Sequence, residues 1–504
     1  MSLVSNTFLL FIAAAVLVYY LAPPNVRWIV LLAFSYLYYI AGGAKYLFFI
    51  LFSTAVTYGF ARLLDRKDGE EASGAKRKRI AGLGLVCNFG MLGIVKYTNF
   101  FVENINTLFH TQIPGLALLF PLGISFYTFQ SSGYLLDVYW DRVKAEKNFF
   151  RYALFVSFFP QLLQGPIGRY QLLADQLYEP HAFDWKSIYR GLERILWGFA
   201  KKMILADWAA VFADAIWSDP QKYKGLAIFG TLLYGIQLYA DFSGGMDVVI
   251  GLSEMFGITL QENFKRPYFA TSITDYWHRW HITLGTWMKD YVFYPVTLSG
   301  WMSSFGKWAK KKFGRKTGRT LPICVANIIV FLVVGIWHGA AWKYIVYGFY
   351  NGLIIAFSGL MAERYKKWKK ACHISGTEGW YHVFMILRTF LLVDISLYFD
   401  RAESVGQALQ MLKYSVTSFQ PQMLLRIPAG REGTAFAPYA LAIIAAGCVV
   451  LFITGVLQER GMVVREALEK LPLPITAAVW LCLLLSIGFF GSTAVAKGFI
   501  YAQF

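Results

Sequence analysis

Residues 273–295 read ITDYWHRWHITLGTWMKDYVFYP. Two histidines and four other charged side chains (Asp275, Arg279, Lys289 and Asp290) stand here among tryptophans, between flanks greasy enough for a lipid bilayer. A stretch this polar is no simple span, yet its neighbours are apolar enough to cross. Polar backbone at membrane depth is tolerated only where protein or a water-filled cavity surrounds it. The stretch therefore implies a helical membrane protein with an interior that is wet or functional.

The rest of the sequence agrees. Of 504 residues 57% are hydrophobic and only 15% charged, where soluble domains carry about a quarter. Apolar runs of about 20 residues recur from end to end without the two-residue alternation of a barrel, so the spans read as helices. Candidates are 7–21, 28–41, 46–64, 80–97, 116–136, 191–217, 226–256, 321–337, 344–360, 384–399, 437–456 and 473–490, roughly twelve crossings. The net charge of +18 would suggest nucleic acid in a soluble protein. Here Lys and Arg cluster between spans, as the positive-inside rule requires, and no nucleic-acid partner is implied. The basic stretches 66–79, 307–319 and 364–370 are expected in the cytoplasm, and residues 402–434 and both termini outside. No Lys or Arg precedes the first apolar run, so a cleavable leader is not expected. The five cysteines are scattered, without a CxxC, and read as inert thiols.

Three segments break the pattern of spans. Residues 150–170 hold an apolar run of about ten before Pro160 and Gly165-Pro166, which suits a re-entrant piece. Residues 239–247, YADFSGGMD, put two carboxylates and a Gly-Gly pair inside an apolar helix. The third is the opening stretch. The three are expected to pack around an internal polar chamber.

Ionisable groups at membrane depth carry functional weight because desolvating them is costly. His338 lies in VVGIWHGAAWKYIVYG, where two apolar runs meet at a Gly-Ala-Ala hinge. A neutral imidazole there could take a proton from a hydroxyl; it could equally be held by carbonyls in a tight turn. His278 and His281 are three apart and would share a helix face, but a third metal ligand at useful spacing is missing. Asp241 and Asp247 could line a proton path, as in a secondary transporter, or Asp241 could hold neighbouring side chains in place.

Together, SFYTFQSSGYLLDVYW (125–140), FFPQLLQGPIGRY (158–170), the long stretch 239–295 and GIWHGAAWKYIVYGFYNG (335–352) resemble the membrane-bound O-acyltransferase family, in its bacterial branch of polymer acetylases and D-alanyl transferases. The resemblance runs over nearly the whole chain. It implies one membrane-embedded domain, residues 1–504, with N-terminal helices in 1–100, a catalytic core in 115–362 and C-terminal helices and tail in 379–504. The implied fold is an all-α ring of tilted helices, with re-entrant and interfacial pieces, around a central tunnel. By the same resemblance His338, of a W-H-G motif, is catalytic and His281, of an R-W-H motif, assists it. Arg279, Trp280, Trp287, Lys289 and Trp337 would line the donor funnel, and Asp241 and Asn263 would give structural support.

The implied reaction moves an acyl group, acetyl or D-alanyl, from a cytoplasmic thioester to a hydroxyl on a surface polysaccharide or a partner protein. The thioester would be acetyl-CoA or an acyl carrier protein. No bound cofactor or metal is implied, and the chain would sit in bacterial cytoplasmic membrane lipid. It would serve a separate extracytoplasmic acyltransferase or esterase-like partner. Tyr501, in the terminal KGFIYAQF, would be either an acyl relay or an interfacial anchor.

Overall fold

The computed structural model describes residues 5–65, 74–121, 123–162, 164–376, 379–428, 437–491 and 499. Within these the chain is helical, and the sole bridge pairing is an isolated antiparallel one between Phe264 and Trp280. Eight helices among the described residues are long and apolar enough to cross a membrane. The other four expected runs take different forms. Three become the 16-residue helices Asn6–Leu21, Arg27–Gly42 and Ile124–Tyr139. At about 1.5 Å per residue each is about 24 Å long, short of a roughly 30 Å hydrocarbon core. The fourth, 191–217, is divided by a π-helical turn at Lys201–Ala206.

The basic stretches 307–319 and 364–370 are helical, not loops. They extend the helices Gly300–His338 and Trp342–Ala371 beyond their apolar parts, because Lys, Arg and Ala favour helix wherever nothing stops it. A kink at Gly314, φ 80°, interrupts the first of them.

The chain divides into two compact units: residues 1–199, 244–261 and 497–504, and residues 200–243 and 262–496. In the first unit polar side chains tie helices together. Ser53 donates to Asn88 at 2.6 Å, and Asn88 donates to Thr57 at 2.9 Å. Such interhelical bonds are the expected adhesive where apolar surface alone gives no drive to associate. The Ile124–Tyr139 helix is covered by protein on nearly every side, which is why SFYTFQSSGY carries so many small hydroxyls.

Residues 149–162 form two short helices, Phe149–Ser157 and Phe159–Leu162, and residues 152–162 and 164–167 are buried while Phe150 is exposed. Their backbone is satisfied from the side: Gln130 Nε2 donates to the Phe155 carbonyl at 2.5 Å, and Ser35 Oγ accepts from Phe159 N–H at 3.1 Å. Nor do the Gly-Gly pair and the carboxylates of 239–247 break their helix, which runs unbroken over Ala227–Glu254. The glycines serve close approach instead. A Cβ on Gly198 would lie 2.5 Å from the Gly244 carbonyl oxygen, and one on Gly191 would lie 2.5 Å from that of Gly251. Two helices meet backbone to backbone along this seven-residue repeat of glycines.

Candidate active site

The second unit assembles the site from three pieces of chain. The first is the R-W-H segment. Its helix, Ile273–Arg279, stops at Trp280, and a second helix, Ile282–Met288, starts after His281. His281 itself sits in the left-handed region, φ 46° and ψ 53°. This corrects the expectation that His278 and His281 share a helix face. His278 stays exposed on the first helix, while His281 turns inward, 2% exposed. A non-glycine residue held at positive φ is strained and persists only where its surroundings over-determine it.

Those surroundings are visible. Lys265 N–H donates to the Arg279 carbonyl at 2.9 Å, and Ile282 N–H to the Asn263 carbonyl at 3.1 Å. The Asn263 side-chain oxygen accepts from Thr283 N–H at 2.9 Å and from the Thr283 hydroxyl at 3.0 Å, and lies 3.4 Å from His281 Nδ1. Asn263, 1% exposed, thus clamps the break from both backbone and side chain.

The second piece is the hairpin of Gly300–His338 and Trp342–Ala371. Gly335 and Gly348 lie backbone to backbone across it, 3.2 Å from one glycine's ideal Cβ to the other's Cα. Larger residues would force the helices apart. His338 is the last residue of the first helix. Gly339 of the W-H-G motif follows because the Tyr344 ring occupies the space a Cβ would need.

The two histidines meet across Trp337. Its indole is 5.7 Å, centroid to centroid, from the His281 ring and 5.1 Å from the His338 ring. Phe242 covers His281 at 4.9 Å, edge to face, and Tyr347 flanks His338 at 5.1 Å. Burial pushes the His281 pKa down to about 3, and the charge His338 can carry pushes in the same direction. His281 is therefore neutral at physiological pH: a hydrogen-bonding group, not a cation.

The third piece is the end of the Gly379–Arg401 helix. Asp400, a residue the sequence reading did not single out, brings its carboxylate to 3.6 Å from His338 Nδ1, both side chains being less than a tenth exposed. The signal for it was a carboxylate placed directly after the apolar run 384–399.

Other expected residues fall into place around this centre. Trp280 is buried, stacked on Tyr276 and edge-on to Phe264, so it packs the break. Trp287 is buried against Tyr291. Arg279 is engaged by Asp275 at 2.9 Å and by Glu459 at 2.6 Å. Lys289 is exposed, its ammonium 5.8 Å from the Tyr294 ring centroid. Asp241 accepts from Lys202 at 2.6 Å, and Lys202 also meets Asp207 at 2.8 Å. Asp247 pairs with Arg194 at 3.1 Å, within the first unit. Tyr501 lies outside the described residues. Among the described residues no three of His, Cys, Asp and Glu gather as a metal site would need.

A buried imidazole with a carboxylate beside it, and a second, neutral imidazole across an indole, are groups able to take part in proton transfer inside a helical membrane protein. Comparison with known proteins places the chain in a family. The model of MBOAT, the membrane-bound O-acyltransferase family, matches residues 141–393. The probable alginate O-acetylase AlgI of Pseudomonas syringae pv. tomato is 36% identical over 418 residues, 81% of this chain and 73% of the relative. The peptidoglycan O-acetyltransferase of Helicobacter pylori is 32% identical over 358 residues, 66% of this chain and 63% of the relative. The teichoic acid D-alanyltransferase of Bacillus subtilis is 30% identical over 288 residues, 55% of this chain and 67% of the relative. The chain belongs to the membrane-bound O-acyltransferase family. It is an O-acyltransferase and a multi-pass membrane protein.

Proposed function

We propose that this enzyme transfers an acetyl group from a cytoplasmic thioester, acetyl-CoA or an acyl carrier protein, to a hydroxyl of a cell-surface polysaccharide or of the partner protein serving it. The observation that carries this reading is the buried His338–Asp400 contact beside Trp337 and His281. Acetyl is favoured over D-alanyl because the relative named as an alginate acetylase matches 81% of the chain, against 55% for the one named as a D-alanyltransferase.

The chemistry follows from the groups present. The His338 imidazole takes the proton of the acceptor hydroxyl as its oxygen attacks the thioester carbonyl. The tetrahedral oxyanion forms beside the Trp337 indole, whose N–H is suited to donate to it, while neutral His281, its one N–H turned to Asn263, packs against that indole and holds it in place. Collapse expels the thiolate, which recovers the proton from the His338 imidazolium. The products are an O-acyl ester and a thiol, with no net change in protons.

Loop charge supports the direction of transfer. With the basic helix ends 307–319 and 364–370 in the cytoplasm, His338 stands about 27 Å further along its helix than Thr320. That depth lies toward the outer face, where a surface acceptor arrives. Both termini are then extracytoplasmic. On the inner side the donor's phosphates would compete with Asp275 and Glu459 for Arg279, while Lys289 is already exposed on the protein surface. Tyr501 would then be available as a relay whose aryl ester hands the acyl group on.

The test is a deletion strain complemented with wild-type or His338→Ala protein, with the mild-alkali-labile acetyl and D-alanine of its surface polymer measured separately. Acetyl restored by wild type and absent with His338→Ala is the expected result. D-Alanine restored in its place would redirect the assignment, and normal acylation with His338→Ala would overturn it. Tyr501→Phe separates relay from anchor, because it removes only the hydroxyl.

A further inference from the structure

We infer that Asp400 is the positioning residue of the catalytic base: it fixes the orientation and tautomer of His338, and Tyr234 and Lys343 hold it in place to do so. The inference rests on the assignment of His338 as the base.

Two physical arguments say that Asp400 is not there for stability. It is 7% exposed, and burying a carboxylate is expensive unless strong partners compensate. It also stands in the last turn of the Gly379–Arg401 helix, the negative end of the macrodipole, where an anion is disfavoured. The neighbourhood offsets both. The Tyr234 hydroxyl donates to Asp400 Oδ2 at 2.7 Å. The Lys343 ammonium donates to the Asp400 carbonyl at 3.0 Å and to the Ala402 carbonyl at 2.5 Å, neutralising the helix end. Arg401 is turned away to Asp214 at 2.7 Å, with its guanidinium 5.8 Å from the Tyr234 ring centroid. Oδ1 is left to face His338 Nδ1 at 3.6 Å.

A carboxylate on Nδ1 accepts its N–H and so sets the tautomer in which Nε2 carries the lone pair that takes the acceptor's proton. It also stabilises the imidazolium formed in that step. The 3.6 Å separation is slightly long, as such contacts commonly are before substrate tightens them. The groups that bear on this imidazole are Asp400, Tyr344 and Tyr347 in ring contact, Lys343 and Tyr234 behind the carboxylate, and His281 across Trp337.

The test uses the full-length protein in lipid nanodiscs with acetyl-CoA and an oligosaccharide acceptor, following kcat, KM and the pH profile. Asp400→Asn is expected to lower kcat at least about 10²-fold, with KM for acetyl-CoA unchanged. The acid limb of its profile should move to lower pH, because the imidazolium loses its counter-charge. Asp400→Glu should restore part of kcat. If Asp400→Asn does not fold, Tyr234→Phe reads the same contact. With one donor gone from Oδ2 the carboxylate holds the imidazolium more strongly, so the acid limb should rise. An acid limb unmoved in the variant that folds, or a kcat for Asp400→Asn within twofold of wild type while His338→Ala is inactive, overturns the inference alone. A fully active His338→Ala overturns both it and the assignment of the base.

Discussion

The two buried histidines of the second unit are held in opposite ways. His281 is fixed by backbone: a left-handed residue between two short helices, braced by a two-stranded contact and by the amide of Asn263. His338 is fixed by position: the last residue of a 39-residue helix, with a glycine-lined hairpin behind it and a carboxylate in front. An amide oxygen near an imidazole orients it without changing its charge, whereas a carboxylate favours its protonated form. The same unit thus builds one histidine that stays neutral and one placed beside a carboxylate. In the proposed mechanism this division of labour, and not the count of histidines, is what the fold supplies to the reaction.

The comparison can be broken in order of expected effect. His338→Ala should cost the most, about 10²–10⁴-fold in transfer rate for the loss of a general base, with folding intact by size-exclusion chromatography. His281→Ala should cost less, because it removes the ring that packs against the Trp337 indole and leaves the left-handed turn without its buried side chain. His281→Asn should fall between Ala and wild type, since Asn tolerates the left-handed backbone. Equal losses for the Ala variants at the two positions across the whole pH range would erase the distinction between them.

Asn263→Ala leaves Thr283 N–H and hydroxyl without their buried acceptor. It should lower stability by about 1–3 kcal/mol in a detergent unfolding assay and reduce activity by loosening the His281 break. The last effect, small at neutral pH, is in the pH dependence of stability. The folded His281 pKa, about 3, lies below the unfolded value near 6.5. Between these values the unfolded chain takes up a proton that the folded one refuses, so stability falls as pH drops below about 6.5. His281→Gln should flatten that slope by at most about 1.4 kcal/mol per pH unit. An unchanged slope would mean that His281 is not neutral in the fold.

Much of this was legible in sequence, for identifiable reasons. The apolar runs gave the helical membrane class, since hydropathy over about 20 residues is a strong local signal. W-H-G and R-W-H marked both histidines. Asn263 lies in the conspicuous 239–295 stretch, though its clamp on Thr283 depends on a bridge between segments that no local pattern shows. The helical break at Trp280 was missed because nothing in YWHRWHITL announces it: no Gly or Pro interrupts the stretch, and tertiary bonds impose the left-handed turn. Asp400 was missed because it is about 60 residues downstream of His338 and is defined as a partner only by packing. The use of Gly244 was missed for the opposite reason: the Gly-Gly pair stands out locally, but the close approach of the Gly244 carbonyl to Gly198 is set by a distant helix.

The central claim is that His338 removes a proton from the acceptor hydroxyl. Its most direct test compares two acceptors in the purified enzyme with acetyl-CoA: an oligosaccharide hydroxyl, which needs a base, and hydroxylamine, which attacks thioesters without one. The account predicts that His338→Ala loses transfer to the sugar by about 10²–10⁴-fold while transfer to hydroxylamine stays close to the wild-type rate. Equal loss toward both acceptors, or undiminished transfer to the sugar, would contradict it.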